Sequence, residues 1–307
     1  MKTPVAANLD TEPRIERIGY GDAARPPLMS VIVPTLDGER RGLLAQLIRA
    51  LGDQSLPSFE LLLVIGDRRQ GRAINRAVQV ARAPQIATMD DDTVIGTPWL
   101  LEILHGVLER HAEVGMVGAS TVVPPGASWL QRVASRQIPR RLFPVVETLT
   151  DSDMVQHPCL AMRRCDFLRI GGEDEELIRG LDPLLRHKVR QAGQRVVIAP
   201  HCYVCHPLPD SFVALLRMYF RNGRGSAFAQ RRYPERIFNL TDGFGGNDFP
   251  ARVSFTTRVL RFPLRLARAF VRGQWIRLAT DLAYAAGHFV EWTSRRRESS
   301  AQPAAAK

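Results

Sequence analysis

Three adjacent carboxylates, Asp90-Asp91-Asp92, close a short apolar run that begins at Gln85. Like charges at that spacing repel, and a cation offsets the repulsion. Hard divalent cations take oxygen ligands, and Mg2+ is commonly held by one or two carboxylates together with substrate phosphates. A metal–diphosphate site is therefore the chemistry indicated. The plain alternative is a solvated acidic turn; placement directly after a buried strand favours the metal. A second acid, Asp182, stands before Pro183 and a helical pattern, after Gly171-Gly172 and the acidic run Glu173-Asp174-Glu175. It fits a helix N-cap and it fits a general base, and the two roles are compatible. The segment His201-Cys202-Tyr203-Val204-Cys205-His206 permits three readings. Cys-x-x-Cys-His is the attachment pattern of c-type haem. With Cys159 and Cys165 the pair would complete a zinc site. The bland reading is a strand with small buried cysteines.

The elements that must position these groups follow from periodicity. Met29 to Val33 and Phe59 to Ile65 read as buried strands, and Gln85 to Met89 as a third. Residues 39–51 and 71–82 carry apolar residues at helical spacing between them. Strand, helix, strand, helix, strand predicts an α/β fold with a mostly parallel sheet flanked by helices. Ligands in such sheets bind beyond the carboxyl ends of the strands. Pro34-Thr35, Gly66-Asp67 and Asp90-Asp91-Asp92 all follow strand ends, so they share one rim. Residues 97–110 read as a helix capped by Thr97, Val114 to Val117 and Arg195 to Ala199 as strands, and 182–192 as a helix. Residues 119–156, with four prolines, read as an irregular insertion suited to acceptor contacts.

The chain has 307 residues, 45% of them hydrophobic and 24% charged, which excludes wholesale disorder and fibrous classes. Four cysteines are too few for a disulfide scaffold at this length. The first residues are polar with no apolar core of a secretory signal, and no apolar run reaches 18 residues. The expected compartment is the cytoplasm. The net charge of +11 is unevenly placed: residues 1–210 hold 25 basic and 25 acidic residues, whereas residues 211–307 hold 17 and 6.

In order and spacing, Ser30-Val31-Ile32-Val33-Pro34-Thr35, Phe59 to Val64, Asn75-Arg76-Ala77 and Met89-Asp90-Asp91-Asp92-Thr93 resemble family 2 glycosyltransferases. Ala161 to Arg164, Gly171 to Glu175, Leu181-Asp182 and Arg190 to Gly193 resemble that family's acceptor-side block, so the likeness spans about 29–228. The resemblance implies the GT-A fold, a nucleotide-sugar donor, Mn2+ or Mg2+, and inverting transfer to a hydroxyl. It implies that Pro34 and Thr35 flank the nucleotide base and that Asp67 contacts it. It puts Arg69 and Arg72 near the diphosphate, with Arg69 preferred for its distance from Asn75. Asp90, Asp91 and Asp92 resemble the DxD segment, Asp90 and Asp92 being the metal pair and Asp92 the direct ligand. His206 falls where the family often places a histidine near the metal. Asp182 matches the catalytic base. Two positions depart from the pattern: Gly66 stands where a second acid is common, and Leu181 where a Glu usually precedes the base. The domain reading is a poorly ordered leader at 1–27, a catalytic domain at 28–230 and a basic helical region at 231–307 with a disordered end.

In the last third, Arg258, Arg261, Arg265, Arg268 and Arg272 recur every three or four residues and form one helical stripe. Phe255, Val259, Phe262, Leu266, Ala269 and Phe270 fall on the other side, and Pro263 bends the helix or marks its start. Such a helix suits an anionic membrane surface; it equally suits packing on the catalytic domain with a solvated Arg face. The Arg-containing segment Arg217 to Gly225 fits contact with donor phosphate or an anionic acceptor. No recognised nucleic-acid module is present. The expected partners are a nucleotide-sugar donor, a glycan or lipid-linked acceptor of the cell envelope or extracellular polysaccharide, and an anionic membrane surface bound peripherally at the inner face of the cytoplasmic membrane. Two other classes fit the same rim: a sugar-phosphate nucleotidyltransferase, whose Gly-rich loop residues 34–41 match poorly, and a non-catalytic membrane module that keeps a nucleotide pocket.

Overall fold

The strands are β1 (Arg14–Gly21), β2 (Met29–Thr35), β3 (Ser58–Ile65), β4 (Gln85–Thr88), β5 (Val94–Ile95), β6 (Val114–Val122), β7 (Thr150–Asp151), β8 (Leu160–Arg163) and β9 (Arg195–Cys205). They form one sheet in the order β1-β3-β2-β4-β8-β6-β9-β5, with β7 pairing to β9. The computed structural model describes residues 13–22, 25–233 and 255–300. β2 pairs in parallel with β3 and β4, and β6 in parallel with β9. β8 is inserted antiparallel between β4 and β6. Two reversals cancel, so β2, β3, β4, β6 and β9 all point one way. Their carboxyl ends share a rim, as the sequence pattern predicts.

Apolar runs in β2 and β3 send alternate residues to opposite faces. Val31, Val33, Leu61 and Leu63 join Leu44, Leu47 and Leu51 of α1 (Leu43–Gly52) and Leu100, Leu101 and Leu104 of α3 (Leu100–Arg110). Ile32, Leu62 and Val64 meet Ala73, Ile74, Ala77 and Val78 of α2 (Gln70–Val80). Both faces of the sheet are thus covered. Each large side chain buried there contributes roughly 2 kcal/mol.

The sequence expectations need four corrections. First, residues 14–21 of the expected loose leader form β1, which pairs antiparallel along the whole of β3. Tyr20 stacks on Phe59 at 4.7 Å, and Arg17 bonds to the buried Glu60. Its sequence, RIERIGYG, is charge-rich because an edge strand keeps one side in water. Second, α3 begins at Leu100, not at the Thr97 cap. Third, the insertion at 119–156 contains α4 (Trp129–Gln137), closed by a capping box of Ser128 and Gln131. Fourth, β6 and β9 run well past their expected ends. Two further helices, α5 (Arg164–Arg169) and α6 (Leu181–Gln191), follow β8.

The C-terminal helices are α7 (Phe212–Arg232), α8 (Phe255–Val271) and α9 (Trp275–Ser300). α8 runs through Pro263 without ending there. The expected break at 243–247 lies outside the described residues, as do residues 301–307 of the expected disordered end; Ser299 and Ser300 are helical. α7 and α9 touch backbone to backbone. A Cβ on Gly223 would sit 2.0 Å from the Tyr284 carbonyl oxygen, and one on Gly287 would sit 2.0 Å from that of Phe220. The two glycines therefore set the interhelical distance from both sides. Arg224 and Arg231 reach across to Glu291 at 3.0 and 2.8 Å.

Gly223→Ala will force α7 and α9 apart at an overpacking cost of about 1–3 kcal/mol, lowering Tm by several degrees in a thermal melt. Gly106→Ala in α3 meets only the flexible end of Arg110 and, by helix propensity, will leave Tm unchanged or raise it.

Candidate active site

The acids at 90–92 are placed by the turn between β4 and β5. β5 pairs antiparallel with the end of β9, with Val94 opposite Cys205. That pairing carries His206, the next residue, onto the acids. His206 Nε2 lies 3.1 Å from Asp92 Oδ1 and 3.6 Å from Asp90 Oδ2. One ligand atom from each of Asp90, Asp92 and His206 lies within 4.8 Å of the others. Two carboxylates and an imidazole suit Mn2+ or Mg2+, with positions left for substrate oxygens. Among the described residues no other group of this kind occurs, and none includes a cysteine. Cys159, Cys202 and Cys205 are free and buried, which answers the zinc and haem readings with the bland one. Burial pushes the Cys202 thiol up to about 12, so it stays protonated.

Arg40 was not singled out in the sequence, yet it closes this group. Its guanidinium lies 2.6 Å from Asp92 and 3.2 Å from Asp91. It is held there by a 3-10 turn (Arg40–Gly42) in which Arg40 and Arg41 both have positive φ, 45° and 55°. Asp37 Oδ1 fastens the turn by accepting from the backbone N–H groups of Glu39 and Arg40. Gln70, also missed, donates to Asp90 Oδ1 at 2.8 Å. Burial alone would raise Asp92, but His206 and Arg40 hold its carboxyl well below the usual carboxylate range. Asp90 and Asp91, with less compensation, are raised by burial.

The other expected donor residues line the same rim. Pro34 and Thr35 end β2, and the Thr35 hydroxyl accepts from Gly38 N–H and bonds to Asp91. Asp67 is fully engaged: Arg72 binds both its oxygens at 2.8 Å, and Arg69 N–H donates to Oδ1 at 2.8 Å. The Arg69 guanidinium turns instead to the Glu176 carbonyl. So Asp67 and Arg72 form one buried-to-surface unit, and Arg69 is tied to the loop at Glu176.

Asp182 lies in the first turn of α6, whose N-cap is Gly180 at φ 90°. The N-cap reading of Asp182 therefore fails. Its Oδ1 accepts from the His157 backbone N–H at 2.7 Å and from the His157 ring Nδ1. The other ring nitrogen, Nε2, lies 2.9 Å from Glu173 Oε1. Burial alone would lower His157, but Asp182 and Glu173 raise it well above its ordinary value, so both ring nitrogens donate. The same contacts, with Arg186, overcome burial and hold Asp182 well below the usual carboxylate range. Oδ1 is anchored, and the side chain stays about one-third exposed, at 32%. Glu173 is set by α2: Asn75 donates to its carbonyl and accepts from its N–H, and a Cβ on Gly71 would lie 2.4 Å from the Asp174 carbonyl oxygen. His157 carries no recognisable spacing and was missed; the paired glycines and Asn75 were the available signal.

No protein-family model matches the chain, and no curated protein matches it in sequence. Among solved structures, a mannosyltransferase from Pyrobaculum calidifontis, in complex with GDP-Man and Mn2+, superposes with a TM-score of 0.56 over 90% of each chain, at 15% identity. The chain has a glycosyltransferase fold. At that identity the likeness speaks for architecture.

Mn2+ added to the wild-type protein will raise Tm by mass action. Asp92→Asn will abolish that shift in differential scanning fluorimetry. A full shift retained by the variant would remove Asp92 from the metal set.

Proposed function

We propose that the chain is a metal-dependent glycosyltransferase that moves one sugar from a nucleoside-diphosphate donor to a hydroxyl acceptor with inversion. The observation that carries this reading is the Asp90–Asp92–His206 group on the carboxyl rim of a glycosyltransferase fold, with a partly exposed carboxylate, Asp182, within electrostatic reach of Asp90. A neighbour of the same fold binds GDP-Man and Mn2+, which supports a nucleotide sugar and a divalent cation as ligands here. Asp90, Asp92 and His206 would hold the ion, which supplies charge neutralisation for the leaving diphosphate. Pro34, Thr35 and the Asp67–Arg72 unit would receive the nucleotide.

In the transfer step the acceptor oxygen bonds to the anomeric carbon as the bond from that carbon to the β-phosphate oxygen breaks. Its proton passes to Asp182, and the nucleoside diphosphate leaves with the electron pair. Asp182 is ionised at working pH because His157 and Arg186 keep it so, and Oδ1 is fixed while the other oxygen is left to take the proton. His157 positions the base without touching substrate. The family 2 assignment rests on the ordered motifs, and a role in envelope or extracellular glycan synthesis on the acceptor class argued below.

The reading includes work at a membrane surface. α8 has two apolar faces. Phe262, Leu266 and Ala269 turn inward toward the body. Leu260, Leu264, Ala267 and Val271 form an opposite ridge facing outward, with Leu260 at 70% and Val271 at 84% exposure. Arg261, Arg268 and Arg272 run exposed along one side of that ridge, and Trp275 follows it. An apolar ridge bordered by arginines matches an anionic lipid interface. No helix among the described residues is long and apolar enough to cross a membrane.

Asp182→Asn will bind UDP or GDP with Mn2+ as wild type does, yet lose transfer by about 10²–10⁴-fold in a single-turnover assay; wild-type turnover would remove Asp182 as the base. Leu260→Asp/Val271→Asp will abolish pelleting with vesicles containing phosphatidylglycerol without changing Tm, and equal pelleting would sink the membrane assignment.

A further inference from the structure

Beside Asp182 lies a cluster of positive charge that the reading above does not use. Arg141 follows α4, Arg179 precedes α6, and Arg221 lies on α7. Arg179 feels the charges of both other arginines as well as those of Asp90 and Asp182. Its stem lies flat on α7: a Cβ on Gly225, one turn beyond Arg221, would come within 2.7 Å of Arg179 Cβ and Cγ. None of the three forms an ion pair with a carboxylate among the described residues. The acids whose charges reach Arg179 are committed elsewhere, Asp182 to His157 and Asp90 to Gln70 and the metal group. Arg141 Nε is buried with no hydrogen-bond partner. Arg179 and Arg221 reach solvent, so the cluster is open to an incoming anion, and the buried Arg141 Nε is a donor that such an anion would satisfy.

The cluster opens into a groove. A cavity of about 600 Å³ runs between α7 and α9, lined by Ala214, Leu216, Arg217, Phe220, Arg221 and Ala283. Arg221 belongs to both features. The groove is hydrocarbon along most of its wall, and its cations are Arg217 and Arg221, the second of which also acts on Arg179. Burial and the charge of Arg221 both lower the Arg179 pKa, a cost to its charged form that a bound anion would offset.

We propose that Arg141, Arg179 and Arg221 bind the phosphate of an amphiphilic acceptor whose hydrocarbon chain lies in the α7–α9 groove. Guanidinium groups pair with phosphate oxygens in a bidentate manner, and Leu216 and Phe220 supply the apolar contact. Bound there, such an acceptor would bring its hydroxyl toward Asp182, whose charge Arg179 already feels. What is done with the ligand rests on the glycosyltransferase reading; its binding does not.

The test is isothermal titration of the full chain with dihexanoyl phosphatidic acid below its micellar concentration. Dihexanoylglycerol and inorganic phosphate serve as comparators, and GDP or UDP with Mn2+ is titrated separately. The phosphatidic acid will bind at least about tenfold more tightly than either comparator. Arg179→Gln and Arg221→Gln will each weaken it by about tenfold or more, Arg261→Gln on α8 will not, and nucleotide affinity will hold in all three. Binding that ignores the arginines, or that inorganic phosphate equals, overturns the proposal. Loss of nucleotide affinity in Arg179→Gln or Arg221→Gln with lipid affinity intact also overturns it, by giving the cluster to the donor. Wild-type protein that binds no nucleotide but binds the lipid phosphate through these arginines would sink the transferase reading and leave this site standing.

Discussion

Gathering Asp90, Asp91, Asp92 and Asp182 on one rim is the electrostatic constraint to which the surrounding structure answers. Each acid is met by a cation or a hydrogen-bond donor from a different part of the chain. His206 comes from the end of β9, Arg40 from the turn after β2, Gln70 from α2, and His157 from the segment before β8. Those four elements are far apart in sequence, and the sheet order is what brings them together. The β5–β9 pairing is only two residues long, yet it fixes the register that puts His206 over Asp92. The rim is thus neutralised piecemeal, and the piece with the greatest strain, Arg40 on a left-handed backbone, is the one that a divalent ion would compete with.

The sheet was legible in the sequence where strands are buried on both faces. Val31 to Val33 and Leu61 to Val64 leave no helical alternative of adequate length, and the acids follow them directly. β1 was illegible because its partner is one neighbouring strand and solvent, so RIERIGYG carries charge at three of its eight positions. α4 was hidden by flanking prolines, although the Ser128-x-x-Gln131 box that starts it is a readable signal. Among site residues, the acids and His206 were visible because a run of like charges, or a polar residue closing a strand, is chemically anomalous. Arg40, Gln70 and His157 were not visible, since each gains meaning only from a residue at least 20 positions away.

The charge asymmetry takes a different form once the arginines are followed to their partners. Arg224, Arg231, Arg232 and Arg265 are consumed within the fold by Glu291, Asp174 and Asp281. Of the other arginines in this part of the chain whose side chains are described, Arg277 lies 3.8 Å from Asp281, Arg261, Arg268 and Arg272 border the outer ridge of α8, and Arg217 and Arg221 line the α7–α9 groove. Among the described residues the unpaired positive charge thus gathers on two local surfaces rather than along a diffuse tail.

That packing makes α7 a ruler. It is 21 residues long, about 30 Å of rigid rod. Its end is bound to the loop before α6 through Arg232 and Asp174, and its middle is locked to α9 through Gly223 and Gly287. On the membrane reading proposed above, α7 and α9 would set the distance between the outer ridge of α8 and the carboxyl rim of the sheet. An acceptor would then have to be long enough to span that distance before its chemistry could count.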